Sequence, residues 1–385
     1  MSHGDHNVKP MVVRFRAREH LCEINAGAGI LDDLGPEARR ILGPDAQKIV
    51  IISNPTVSSL FGRNLARSLR KNGFLASEWL MRDGERHKNL RSLEQALQSL
   101  SAFKLTRTDA VLSLGGGVVG DLAGLAAALH LRGVRLMHAP TTLVAQIDAA
   151  IGGKTAVNTE VGKNVIGAFH QPVAVWIDPL TLRTLPPREL TSGWCEALKQ
   201  GAAGSSKLFL KTYGFLRNQA ILTRPPVPSL QLLMSHCAFK ATIVSRDERE
   251  DTSRGDHKSR RILNFGHTTA HALETVSGYR RLRHGEAVGY GMLVAGEIST
   301  RLGLLPHSEL ELLRDAVSLC GQLPRADNFE ATSIIKAITH DKKRVGGETK
   351  WVLLERIGRA RIVDGKEISP SLLRASLKAG LRSND

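Results

Sequence analysis

The segment Asp109–Leu131 constrains the fold of this chain more than any other. A short apolar run, DAVLSL (Asp109–Leu114), leads into Gly115-Gly116-Gly117-Val118-Val119-Gly120 and then an Ala/Leu-rich stretch, Asp121–Leu131. A buried strand turning through glycines into a helix is the local plan of a parallel α/β sheet. The G-x-G-x-x-G spacing lets backbone N–H groups approach a pyrophosphate at a helix N-terminus. The acidic residue expected about 20 positions later to hold a ribose is missing, so the motif alone also fits a tight turn.

The rest of the first half repeats the alternation. Lys48–Ile52 (KIVII), Arg135–Ala139 and Ala174–Ile177 have the β-branched, apolar character of buried strands, and Val57–Asn72 has a helical pattern stopped by Gly73. The character changes around Thr184-Leu185-Pro186-Pro187. Beyond it the periodicity is mostly helical, near 190–205, 229–246, 267–277, 284–303 and 308–320, with Lys350–Val363 reading as a hairpin about Gly358. We therefore expect an α/β dinucleotide-binding domain over residues 1–187 and a mainly α-helical metal-binding domain over residues 188–385.

Charge narrows the partners. The chain of 385 residues has 53 Lys and Arg against 37 Asp and Glu, a formal charge of +16. Such a field attracts nucleic acid or steers a small anion into a cleft. Aromatics are 4% of the chain and the densest basic run, Lys258-Ser259-Arg260-Arg261, contains none. Without stacking residues among the cations, a small anion is the better expectation and nucleic acid is not expected. The start, MSHGDHNVKP, is polar, and the most apolar stretch, Leu114–Leu131, is broken by Asp121 and glycines. No secretory signal and no membrane span are expected. Cys22, Cys195, Cys237 and Cys320 form no CxxC pair and are expected to be reduced core thiols of a cytoplasmic protein.

Two further constellations carry chemistry. His267 and His271 stand four apart on one helical face in NFGHTTAH, and His284 follows in HGE. Histidines with one carboxylate and an open position make a catalytic divalent-metal site. Spacing does not decide which histidines bind or which of Glu196, Glu274 and Glu286 joins them. Nearer the N-terminus, Pro140-Thr141-Thr142, Asp148, Gly152-Gly153-Lys154 and Gly162-Lys163-Asn164 gather polar groups on glycine-flanked turns. Lysines give point charge to a phosphate, while a carboxylate and an amide orient hydroxyls.

The segments GGGVVGDLAG, RGVRLMHAPTTLVAQIDAAIGGKTAVN, GKNVIGAFHQP, LNFGHTTAHALE and HGEAVGYGM, in this order, closely resemble the 3-dehydroquinate synthase family of sugar-phosphate cyclases. The resemblance runs from about residue 20 to 365. It implies an NAD-binding α/β domain, a helical metal domain binding zinc or cobalt, and a homodimer. The implied metal ligands are Glu196, His267 and His284, with His271 left for substrate phosphate or proton transfer. Asp148, Lys154, Lys163, Asn164, Lys199, Lys240, Arg260, Asn264 and Lys343 match the substrate site, and Arg132 matches an arginine that reaches the partner subunit's site. Asn54, Glu85, Lys88, Gly115, Gly116, Gly117, Val118, Asp121, Thr141, Thr142, Lys154 and Lys163 match the NAD site.

The implied substrate is a phosphorylated keto-acid, 3-deoxy-arabino-heptulosonate 7-phosphate. The implied course is transient oxidation of a ring hydroxyl by NAD, elimination of phosphate, re-reduction, and an intramolecular aldol closure to 3-dehydroquinate, a step of the shikimate pathway to chorismate and the aromatic amino acids. Sister cyclases acting on sedoheptulose 7-phosphate, and polyol dehydrogenases, are the nearest rivals. Arg260, Asn264 and Lys240 favour a substrate carrying a carboxylate. The chain departs from the family in a longer Lys240–Arg260 stretch, where Arg254 or Arg261 are alternative carboxylate partners. It also has Gln200 where an aromatic is commoner, and GHTTAH for GHTFGH.

Overall fold

The computed structural model describes residues 20–219, 224–345 and 349–382, with the side chains of 341–345 outside the description. Among the described residues eight strands fall in the first half: β1 (Glu23–Ala26), β2 (Lys48–Ser53), β3 (Leu75–Leu80), β4 (Ala110–Gly115), β5 (Arg135–Pro140), β6 (Lys154–Thr159), β7 (Gly162–Phe169) and β8 (Ala174–Ile177). Six of them form one parallel sheet in the order β1-β8-β5-β4-β2-β3. The strand KIVIIS shows why its sequence folds this way. Ile49 and Ile51 face a core with Leu34, Leu65 and Leu69, whereas Val50 and Ile52 face a second core with Leu93, Leu122 and Leu136. A strand apolar at every position is one buried on both faces by helices.

The helix after β4 is Gly117–Leu129, so it begins four residues before the expected Asp121. The last glycines of the motif are its first turn. The expected Val57–Asn72 helix is Pro55–Val57, a π-turn over Ser58–Gly62, and then Arg63–Lys71. A larger difference concerns residues 152–164, expected as turns. β6 and β7 pair antiparallel as a separate two-stranded ribbon. The ribbon lies against the Gly117–Leu129 helix, where a Cβ on Gly124 would sit 2.3 Å from Thr155 Cγ2. Only glycine permits that approach.

The second half is helical: Pro187–Gly204, Ser206–Asn218, Leu230–Arg246, His267–Val276, His284–Arg301, His307–Ser318, Ala331–Val345 and Pro370–Gly380. The expected hairpin is present as β9 (Lys350–Arg356) and β10 (Arg359–Asp364). The His284–Arg301 helix is buried from Gly285 to Ser299, as a central helix must be when apolar on every side. Among the described residues no helix is long and apolar enough to cross a membrane.

Candidate active site

The carboxyl ends of β4 and β5 open onto a cradle, the position where open α/β sheets bind ligands. Gly116 caps the Gly117–Leu129 helix, and a Cβ there would stand 2.9 Å from Thr142 Cγ2. Thr141 donates its backbone N–H to Gly115 O, and its buried hydroxyl has no partner. Glycine there lets Thr142 close on the helix start, and an orphaned hydroxyl beside the helix N–H groups suits a bound pyrophosphate.

Beside the cradle, Lys88 is 4% exposed and donates to Asp121 Oδ2 at 2.5 Å and Asn164 Oδ1 at 2.6 Å. Burial raises the Asp121 carboxyl above its ordinary range, and the Lys88 charge offsets this only in part. Glu85 accepts from Asn158 Nδ2 at 2.7 Å. Asn54 uses its side chain to cap Val57 N at 2.8 Å. Thr142 likewise accepts from Ala145 N. Apart from Lys154, the residues matched to an NAD site lie at the ends of β2, β4 and β5, on the loop at 85–88 and on the ribbon.

Across from the cradle, the Pro187–Gly204 helix brings Glu196 up to the starts of the His267–Val276 and His284–Arg301 helices. One ligand atom each from Glu196, His267 and His284 lies within 4.8 Å of the others. Glu196 Oε1 is 3.3 Å from His284 Nε2 and 3.9 Å from His267 Nε2. Ligand atoms bound tetrahedrally at about 2.0–2.2 Å stand about 3.4 Å apart, so this spacing suits a zinc-sized ion. Glu196 is fully buried, and neither carboxylate oxygen has a hydrogen bond of normal geometry. Lys199 Nζ is 2.6 Å from Oε2, but off the direction a hydrogen bond needs. A buried carboxylate with free lone pairs, facing two imidazoles, is a cation's donor set.

The electrostatics agree. Burial would raise the Glu196 carboxyl, yet the Lys199 ammonium and the neighbouring histidines hold it at about 2. Burial drives His267 well below its usual range, leaving its ring neutral and able to ligate. With no cation between them, the Glu196 and Glu274 carboxylates hold His284 up at about 10 against the effect of burial, so a metal would bind there by displacing a proton. Glu274 Oε1 lies 3.4 Å from His284 Nδ1 and accepts from Lys163 Nζ at 3.0 Å. This is the usual carboxylate backing of a metal-ligating histidine. The His271 ring is 5.5 Å from that of His267. Glu286 is not in this group. It accepts two bonds from Arg188, at 2.6 and 2.7 Å, and a third from Arg283 N at the start of its own helix. Of the three carboxylates left open by spacing, Glu196 faces the histidines, Glu274 backs one, and Glu286 ties two helices together.

A third group adjoins the metal triad. Lys240 Nζ donates to Asp148 Oδ1 at 2.5 Å. Burial raises the Asp148 carboxyl, but the Lys240 and Lys199 charges hold it far below the normal range. Arg260, 2% exposed, donates Nη1 to Gly152 O at 2.9 Å and Glu248 O at 2.6 Å. Arg254 and Arg261 bind backbone carbonyls of the same loop, Arg246 O and Thr252 O. Lys154 pairs with Glu250, whose other oxygen accepts from Asn264 Nδ2 at 2.8 Å. Glu250 went unnoticed in the sequence, although the run Asp247-Glu248-Arg249-Glu250 ahead of Arg260 is the signal that could have found it. Arg132 stands apart, at the far end of the Gly117–Leu129 helix. The side chain of Lys343 lies outside the described residues.

A nucleotide cradle at the sheet's carboxyl edge, facing a two-histidine, one-carboxylate centre across a cluster of lysines, defines an NAD- and metal-dependent enzyme of the two-domain cyclase and dehydrogenase class. Comparison with known proteins narrows the class. The N-terminal model of 3-dehydroquinate synthase matches residues 78–192 and the C-terminal model matches residues 193–344. The 3-dehydroquinate synthase of Gloeobacter violaceus is 42% identical over 333 residues, covering 86% of this chain and 89% of that protein. The 2-epi-5-epi-valiolone synthase of Streptomyces hygroscopicus subsp. jinggangensis 5008, solved with NAD+ and Zn2+, superposes with a TM-score of 0.81 at 26% identity. It covers 95% of this chain and 98% of that one. A 2-deoxy-scyllo-inosose synthase complexed with carbaglucose-6-phosphate, NAD+ and Co2+ gives 0.76 at 23% identity, over 93% and 96% of the two chains, a likeness of fold alone. The chain belongs to the 3-dehydroquinate synthase family.

Proposed function

We infer that this chain converts 3-deoxy-arabino-heptulosonate 7-phosphate to 3-dehydroquinate and phosphate. Its family membership supports the reaction, and one observation carries the site. The triad Glu196, His267 and His284 faces a buried cluster of Asp148, Lys199 and Lys240, beside Lys154, Arg260 and Asn264. That cluster suits a polyhydroxy substrate with an anionic group at each end.

Glu196, His267 and His284 would hold the divalent ion, zinc or cobalt, and the cradle over Gly115–Val118 with Asn54, Glu85, Lys88, Asp121, Thr141 and Thr142 would hold NAD. When bound, these groups supply Lewis acidity and a reversible hydride acceptor at one ring hydroxyl. The chain's own residues do the holding. Arg260, Asn264 and Lys240 take the carboxylate end, Lys154, Lys163 and Asn164 serve the phosphate end, and Lys343 is matched to the same substrate site. Asp148 and Lys199 fix hydroxyls between them. His271, beside the triad but outside it, is placed to hold the phosphate or move a proton. Keeping one substrate conformation against fixed charges is the protein's main contribution to rate.

Arg132 needs a second copy. The helix of 13 residues separates it from the cradle by about 20 Å at 1.5 Å per residue. Leu131 and Arg132 both adopt left-handed backbone, φ 50 and 65, ahead of Gly133. That is a costly conformation for non-glycine residues. A homodimer in which Arg132 serves the partner subunit's site accounts for it. We place the functional halves at residues 1–187 and 188–385 and the enzyme in the cytoplasm, where its free thiols stay reduced.

The test is phosphate release from the substrate with catalytic NAD and added zinc. Dehydroquinate formed without NADH accumulation supports the reading. NADH accumulation, or turnover of sedoheptulose 7-phosphate in place of the keto-acid, overturns it.

A further inference from the structure

Behind the Asp148–Lys240 pair, a run of polar side chains crosses an otherwise apolar core. Gln200, Thr212 and His236 are 0%, 0% and 1% exposed. Gln200 Nε2 lies 2.9 Å from Ile147 O and 3.5 Å from Asp148 Oδ1. Gln200 Oε1 lies 3.0 Å from His236 Nδ1. His236 Nε2 lies 3.0 Å from Thr212 Oγ1, which is also 2.8 Å from Leu208 O.

With a neutral ring, one set of protons satisfies every contact but that of Thr212 with Leu208 O. Ile147 O and the Asp148 carboxylate are both acceptors, so the amide must turn its NH2 toward them. Its oxygen then faces His236 Nδ1, which must therefore carry the proton. Burial lowers His236 to about 3, so the ring is neutral and Nε2 is an acceptor. The Thr212 hydroxyl then donates to Nε2. Leu208 O loses little, because it is a helix carbonyl with an N–H partner already available. Reversing the ring tautomer would set Nδ1 against Gln200 Oε1, two lone pairs facing each other in a dry core, where an unmade hydrogen bond is costly.

We propose that Thr212, His236 and Gln200 form a positioning chain that holds the Asp148 carboxylate, and through it Lys240, in register for the substrate. Asp148 sits on a π-turn over Ala145–Ala149, and the Gln200 amide grips that turn at the preceding carbonyl, Ile147 O. None of the three hydrogen-bonds a residue of the metal triad or the cradle. They are positioning residues, and this role rests on the reading of Asp148 and Lys240 as substrate groups.

The experiment has two parts. Nitrogen-15 NMR of the full-length protein without substrate reads the His236 tautomer directly. The Nδ1–H form is expected, and the Nε2–H form or a charged ring at neutral pH overturns the chain. The second part measures steady-state kinetics of H236L and H236N, with zinc and NAD binding and melting temperature checked for each. H236L frees the amide to turn, and KM for the substrate should rise about tenfold with kcat changed less than about twofold, the scale of one buried hydrogen bond. In H236N the amide N–H takes the place of Nδ1–H, and KM should return to within about threefold of wild type. An unchanged KM in H236L, or no rescue by H236N at matched stability, overturns the proposal. If wild-type protein turns over no substrate, the functional reading fails while the NMR result still decides the proton arrangement.

Discussion

Replacing Arg188 by alanine separates the carboxylate that binds helices together from the one that faces a metal. Glu286 is fully buried and accepts from Arg188 Nε, Arg188 Nη2 and Arg283 N. In R188A only the backbone donor remains. Removing one partner of a buried ion pair costs about 3–5 kcal/mol. The Arg188 side chain is itself 47% exposed, so water follows into the gap, and the lower end, about 3 kcal/mol, applies. At about 2–4 °C per kcal/mol for a folding unit of this size, the melting temperature should fall by about 6–12 °C. Zinc content should stay at the wild-type level, because neither Arg188 nor Glu286 belongs to the triad. Scanning calorimetry gives the first quantity and elemental analysis of dialysed, folded protein the second. A fall under about 2 °C would refute the energetic argument. Loss of zinc with the melting temperature unchanged would refute the division of roles and return Glu286 to the ligand set.

Glu274→Gln keeps the shape of the residue behind His284 but removes its charge, and zinc affinity measured against a competing chelator should fall about 10–100-fold while the melting temperature moves little. An affinity within about twofold of wild type would sink the backing role assigned to Glu274. Asp109 sets up an acid response in the sheet. Its carboxylate accepts from Gln47 N, Lys48 N, Thr106 N and Thr106 Oγ1, and these bonds lower it despite burial. A carboxyl depressed on folding stabilises fully above its unfolded value near pH 4 and loses that contribution as the pH falls toward its folded value. Asp109→Asn should therefore melt lower than wild type at pH 7, with the gap closing below about pH 4. A gap independent of pH would show that the charge contributes nothing.

The strand–glycine–helix segment was legible because each signal in it is local. KIVII, DAVLSL and AVWI were legible for the same reason: strands buried on both faces are apolar throughout. The edge strands β1 and β3 were not. EINA is four half-buried residues, and LASEWL mixes exposed and half-buried positions without a clear apolar face. The ribbon carrying Lys154, Lys163 and Asn164 reads as turns because its glycines and polar residues serve a site and a close helix packing. At the site, spacing reached the histidines, which lie on one helix or at the next helix start. It did not reach Glu196, which comes 71 residues before His267 and belongs to the triad only through helix packing. The resemblance supplied that ligand. Neither route reached Glu250, Glu274's link to Lys163, or the Gln200–His236 contact, since each depends on how distant segments meet.

The outer strand of the sheet has a consequence for how the protein is made. β1 pairs along its whole length with β8, Glu23 opposite Ala174 and Ala26 opposite Ile177. Asp178, just past β8, accepts from Gly29 N to secure the same edge. At about 5–20 residues per second on a ribosome, the roughly 150 residues between these strands take about 8–30 s to emerge. Throughout that interval the first strand leaves the exit tunnel with its hydrogen-bonding edge unclaimed. The sheet of the half that is translated first is thus sealed late, when the last of its strands emerges.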